Sequence, residues 1–244
     1  MISNLAVVQT DRIGENVTIG EFSIIRPEVK IGNNVVIHPR VIINSGVVIE
    51  DNVEIFPGAY IGKEPKGAGV LARQPQFTKQ LVIGENSSIG PNAIIYYDVE
   101  IGKQTLIGDG VGIREQCKIG SSCIIGRNVE ISYNSIIGNR TRIMDSSHIT
   151  GNCTIGDDVF ISMHVSTAND DTFGQKGYDE KNVVGATVEN GAKIGVGAVL
   201  LPGITVGEKA IVGAATVVTK NVLPMTLVFG VPGKFIRRVD MDNK

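Results

Sequence analysis

This chain has no tryptophan, only three cysteines and three histidines, and few aromatic residues of any kind. The shortage of large rings means that a core must come from aliphatic side chains. Three cysteines cannot close a disulfide framework, and Cys117, Cys123 and Cys153 lack the spacing of a metal cluster. Each stands two residues before an isoleucine, in a slot filled elsewhere by Val, Ser, Thr or Ala, and reads as a small buried thiol. Charge of one sign is missing too, with 23 basic residues against 25 acidic ones and a net charge of -2. That balance gives no basic field for nucleic acid. No apolar run is long enough to span a bilayer, and MISNLAVVQTDRIG lacks the charged start and apolar stretch of a secretory signal. The expected location is the cytoplasm, with neither membrane nor nucleic acid as a partner.

What the chain does have is isoleucine on a fixed count. It returns every sixth residue from Ile13 to Ile61, and again from Ile83 to Ile161 without a miss. A helix cannot keep residues six apart on one face, so the period marks a repeat. VTIG, VKIG, VEIG, CKIG and CTIG show the unit: small residue, outward residue, aliphatic, glycine. On a strand the small residue and the aliphatic share one face, so both point inward. The glycine is expected to turn a corner, where positive φ is cheap without a Cβ. Three short strands and three corners make a coil, and stacked coils pair as parallel strands.

The phase breaks twice. GKEPKGAGVLARQPQFTKQLV, rich in proline, glycine and basic residues, separates Ile61 from Ile83, and STANDDTFGQKGYDEKNVV follows Val165. Both compositions suit excursions from the coil. The expected layout is a β-helix over 1–221, inserted loops at about 63–82 and 168–187, and a cap or tail over 222–244.

The corner glycine also lapses in order. It is absent after Ile95, Ile113, Ile131 and Ile149, each one coil from the last, so the lapses stack on one corner. That column reads Tyr96-Tyr97-Asp98, Arg114-Glu115-Gln116, Ser132-Tyr133-Asn134 and Thr150-Gly151-Asn152, and continues to Asn169 and Asp170. Asp98 and Glu115 lie on neighbouring coils and are expected to approach each other. Two like charges so placed suit a proton acceptor or an anchor for a cationic amine, with Asn134 polarising a carbonyl.

The hexad resembles the repeat of left-handed β-helix acyltransferases, which implies an all-β, left-handed parallel β-helix of about ten coils. The tail, GAKIGVGAVLLPGITVGEKAIVGAATVVTKNV followed by GVPGKFIRRV, is similar to that of the hexapeptide enzymes that use coenzyme A. The resemblance implies an acyl-CoA donor, a homotrimer with sites between subunits, and no metal. It places the pantetheine arm at Gly197, Ala198, Ala214, Ala215 and Thr216, with Lys220, Lys234 and Arg237 for the phosphates. Many members use a histidine base, for which His148 and His164 are the candidates. The block around the first insertion, with IREQCKIG and FISMHVSTAND, looks like the subset that acylates dTDP-linked amino sugars. In that subset Arg73, Gln74, Lys79 and Arg114 would hold the diphosphate or base, Tyr96 would stack on the base, and Tyr97 would line the site. An O-acetyltransferase of the same fold is the alternative. A zinc-dependent carbonic anhydrase needs three converging histidines, and 38, 148 and 164 are too scattered.

Overall fold

The computed structural model describes residues 1–67, 73–177 and 182–239. Every strand is short, most of them two residues long, with the first residue outward and the second buried. They assemble into three parallel sheets. Face 1 has 11 strands, from Val7–Val8 to Val217–Val218; face 2 has nine, from Lys30–Ile31 to Thr205–Val206. Face 3 starts at Thr18–Ile19 and gathers 12, including the C-terminal hairpin. The chain visits faces 1, 2 and 3 in turn, as the left-handed parallel β-helix that the family resemblance implied.

The isoleucines stack in register up each wall: Ile95 on Ile113, Ile113 on Ile131, Ile131 on Ile149. All four are fully buried, and with their counterparts on the other faces they form one dry core. The small slot fills the angle between walls. Where it holds Ser87, Thr105 or Thr141, the hydroxyl donates to the carbonyl of Gly102, Gly120 or Gly156 at 3.1, 2.9 and 2.7 Å, so no polar atom is stranded. The three cysteines occupy that slot as buried free thiols.

The corner glycines do not serve the purpose expected of them. Gly102 does not have positive φ; a Cβ there would stand 2.7 Å from the Gly120 carbonyl carbon in the next coil. Positive φ falls two residues later, at Asn34, Asn52, Asn86, Gln104 and their counterparts. Asparagine tolerates that region, and here it also bonds along the stack: Asn16 donates to Asn34 and Asn34 to Asn52, each at 3.1 Å.

Both insertions open at the same corner, between faces 1 and 2. Strand Tyr60–Lys63 lies on face 1 under Ile94, and the next strand, Leu81–Ile83, lies on face 2 under Val99. The second insertion leaves after Ser166–Thr167 on face 1 and returns at Thr187–Val188 on face 2. Residues 68–72 and 178–181 of the expected loops, and 240–244 of the expected tail, lie outside the described residues. At the C-terminus Thr226–Phe229 extends face 3, and Lys234–Arg238 folds back on it antiparallel.

Candidate functional site

The corner between faces 1 and 2 carries the column of lapsed glycines, with one insertion below it and the other above. Its centre is Glu115, which has no exposed surface. Arg73, reaching in from the first insertion, donates to its Oε1 at 2.7 Å, and Arg114 holds Oε2 at 2.9 Å and Oε1 at 3.2 Å. Such partners offset the hydration that a buried carboxylate loses. The Arg73 guanidinium also lies 3.7 Å above the ring of Tyr133. That ring rests in the space left by Gly151, where a Cβ would come within 2.6 Å of its Cζ. One coil below, Tyr96 takes a hydrogen bond of 2.8 Å from Lys63 Nζ, and the Arg114 guanidinium stands 5.3 Å from its ring centre.

These contacts correct several expectations. Glu115 does not share a site with Asp98, because register pairs Val99 with Cys117 and so places Asp98 beside Gln116. Asp98 accepts the Thr78 hydroxyl at 2.7 Å on its own. Arg73 and Arg114 both bond Glu115, which offsets part of the charge that a diphosphate would meet. The Tyr96 ring carries Lys63 at 4.6 Å, so it is no open platform for a base. Tyr97 is buried against Phe77, its hydroxyl donates to the Ser45 carbonyl at 2.8 Å, and burial, then Glu64, pushes its pKa up. It is structural.

The upper column is equally occupied by its own contacts. Asn134 donates to Asn152 at 2.9 Å, and Asn169 to the Gly151 carbonyl at 3.1 Å. Asp170 caps a turn, accepting from the Thr172 amide and hydroxyl and the Gly174 amide at 2.7, 2.8 and 2.6 Å. Those donors, the Thr172 amide foremost, hold its carboxyl below the usual range. In the first insertion Lys79 stands 3.6 Å from Glu64, and Gln74 is exposed. Just inside the column, burial pushes the Cys117 thiol up to about 12, so it is no nucleophile.

The histidines stand elsewhere. His148 projects from face 1 between Glu130 below and Ser166 above. The carboxyl of Glu130 folds down over Gly112, which has no side chain to prevent it. Burial raises the Glu130 pKa, and His148 works against that rise. This group went unnoticed in the sequence, although Glu130 is one coil before His148. His164 lies on the corner between faces 3 and 1, where its amide donates to the Asp145 carbonyl at 3.2 Å.

The same corner holds the residues matched to a pantetheine arm. The amide of Gly197 donates to the Met163 carbonyl at 3.0 Å and that of Ala215 to the Val196 carbonyl at 2.8 Å, so His164, Gly197 and Ala215 form one column. All three have positive φ, at 58, 68 and 54°. Gly197 faces open space, and Ala214 and Ala215 are exposed, leaving a smooth strip of backbone. Two matched residues do not reach that surface. Ala198 is buried, and Thr216, also buried, accepts the Gly230 amide at 3.3 Å and anchors the hairpin. Lys234 and Arg237 are exposed nearby, since the Gly233 amide donates to Val217 at the end of face 1, whereas Lys220 is exposed on the opposite edge, between Val217–Val218 of face 1 and Val222, which bridges Val206 of face 2.

The model of the bacterial transferase hexapeptide, in six repeats, matches residues 12–45 and 28–63. Residues 12–63 thus match the hexapeptide-transferase repeat. The model of the GMPPB C-terminal domain matches residues 77–184. A putative acetyltransferase of Schizosaccharomyces pombe is 43% identical over 53 residues, covering 22% of this chain and 26% of that protein. Galactoside O-acetyltransferase of Escherichia coli K12 is 36% identical over 58 residues, covering 24% and 29%. The match therefore spans under a third of these curated relatives. Among solved structures, UDP-N-acetylglucosamine acyltransferase of Francisella novicida superposes with a TM-score of 0.58 at 24% identity, covering 97% of this chain and 69% of that one. A second UDP-N-acetylglucosamine acyltransferase gives 0.59 at 20% identity, covering 98% and 74%. At these identities the likeness is one of fold.

Proposed function

We propose that the protein is an N-acyltransferase, moving an acetyl or slightly larger acyl group from acyl-CoA to the amine of a dTDP-linked amino-deoxy sugar. The observation that carries this is the polar column bracketed by both insertions, on a chain whose other face 1 corner bears the small-residue strip. The acetyltransferase relatives support the reaction class.

The two corners are the opposite edges of face 1, so a single chain keeps donor and acceptor apart. The outward row of face 1 explains how they meet. Val7, Ile24, Ile42, Tyr60 and Ile94 stand there one per coil, with Val7 49% and Ile94 38% exposed. An apolar stripe of this kind marks an interface. Three prisms meeting face 1 to face 1 about a threefold axis set each chain's donor corner beside its neighbour's acceptor column. In the trimer the smooth strip at Gly197, Ala214 and Ala215 takes the pantetheine arm, and Lys234 and Arg237, with Lys220 on the facing edge of the neighbouring chain, take its phosphates.

The acceptor amine arrives as ammonium and gives one proton to solvent before it attacks. Asp98 Oδ2, without a protein hydrogen bond among the described residues, orients it. The nitrogen adds to the thioester carbonyl, the carbon–sulfur bond breaks, and the nitrogen's proton passes to the leaving sulfur. An amide and a free thiol result. A backbone N–H or Asn134 holds the oxygen as it gains charge. Glu115 is a positioning residue here, fixing Arg73 and Arg114.

The test is to incubate purified protein with acetyl-CoA and a panel of dTDP- and UDP-amino sugars, and to follow free thiol. Release with at least one dTDP-amino sugar is expected; none with any acceptor overturns the proposal. One observation favours O-acetylation as a second reading: His164 shares its column with Gly197 and Ala215. Thiol release with neutral sugars, abolished in His164→Ala, would decide for it.

A further inference from the structure

Face 2, beside the column, bears a groove that runs from Asp98 and Asn134 down to Arg12 and Lys30, beyond the residues the sequence singled out. Its upper part is a cavity of about 370 Å³ reaching from Thr78 and Gln80 to Asn134. Its lower part, about 490 Å³, reaches down to Arg12, and the two share Gln80, Leu81 and Val82. The returning end of the first insertion is thus one wall of both.

The two parts differ in charge. The charged groups lining the upper part are Asp98, Glu100 and Lys118, two carboxylates against one ammonium. Those lining the lower part are Arg12, Lys30 and Lys79 against Glu28, with Lys79 shared by Glu64 at 3.6 Å. The parts lie on one straight row: Lys30 pairs with Val48, Val48 with Val82, and Val82 with Glu100. Three coil steps of about 4.8 Å separate the cationic end from the anionic end. A ligand that fits carries negative charge at one end and an ammonium at the other, set apart by a sugar ring and its phosphates.

We infer that the acceptor lies along face 2, its phosphates toward Arg12 and Lys30 and its ammonium at Asp98 and Glu100. This rests on the N-acyltransfer reading and moves the phosphate site away from Arg73 and Arg114. Those two guanidiniums are already neutralised in part by Glu115, whereas Arg12 and Lys30 are exposed and line open space. Glu100 and Lys118 become specificity residues, one attracting the amine and the other repelling a second cation. The amine end touches the column corner, which is where a neighbour's thioester would arrive.

The experiment is calorimetric titration of dTDP, of inorganic pyrophosphate and of coenzyme A into wild type and into R12E/K30E. Both substituted side chains are exposed, so the double variant should keep the wild-type thermal midpoint. Reversing two phosphate contacts should weaken dTDP and pyrophosphate on the order of tenfold or more and leave coenzyme A unchanged. If wild type binds dTDP and the double variant binds it equally, the groove is overturned while the N-acyltransfer reading stands. If wild type binds coenzyme A but neither anion, both fall. Glu100→Gln tests the other end: KM for the amino sugar should rise with kcat and dTDP affinity unchanged. An unchanged KM places the amine elsewhere and overturns the inference.

Discussion

The side chain on which the column depends is Glu115, and its burial decides what its removal does. Glu115→Ala leaves two guanidiniums facing each other without their carboxylate. Arg73 and Arg114 keep 26% and 35% of their side-chain surface exposed, so water relieves part of that cost. The expected loss is about 3 kcal/mol, at the low end for a broken buried pair, read from the denaturant midpoint. Glu115→Gln, which keeps the shape, should lose less. Glu130 is expected to behave in the opposite way. Its pKa is raised in the folded chain, so the fold holds that proton more tightly than the unfolded chain does. The favourable contribution is full below the ordinary glutamate value, about 4.3, and is lost as pH rises through the raised value. Glu130→Gln should therefore raise the thermal midpoint at neutral pH, with the difference vanishing near pH 4. A midpoint that falls at pH 7 would mean that the carboxylate is held by a favourable partner.

At the level of strands and corners, the walls were legible and the corners were not. Each isoleucine is a separate sign of the same inward position, so Ile83 to Ile161 define the wall many times over. The corner glycine is ambiguous, because absence of a Cβ serves both positive φ and close approach; the recurring asparagine two places on was the better signal for φ. The column was visible because it broke a rule. Its chemistry was not, since Arg73 meets Glu115 from a loop with no period, 42 residues away. Register was the second obstacle, as one step along the corner separates a groove-lining Asp98 from an enclosed Glu115. Gly151 offers a test of how tightly these elements fit. A methyl there would lie 2.6 Å from the Tyr133 ring, which is covered on its other side by Arg73. Gly151→Ala should cost about 1–3 kcal/mol through overpacking. The wild-type midpoint in that variant would show that the ring moves aside freely.

At the scale of the whole molecule, a stack of coils has one weakness as an enzyme: its faces are flat and its corners far apart. The answer open to it is symmetry, in which one chain's edge completes another's. This makes a prediction that a self-contained site does not share. Under the proposed reaction, Asp98→Ala should disable the acceptor column and leave the donor corner intact. Ala214→Trp fills the exposed small-residue strip and leaves the column intact. Each variant alone should be inactive. Co-expressed with different tags and purified for both, they form mixed trimers in which some interfaces join two intact edges. In each such trimer one of the three interfaces joins two intact edges, about a third of the wild-type sites. Thiol release near that level would show that acyl donor and acceptor are held by different subunits. No recovery in verified mixed trimers would place both on one chain. Ile42→Asp with Ile94→Asp then checks the interface itself, because both residues project outward from face 1 and leave the core untouched. Sedimentation should show the double variant as a monomer with the β-helix circular dichroism retained and the transferase activity gone. A stable trimer would mean that the chains meet on another face, and that the two corners of face 1 are not brought together there.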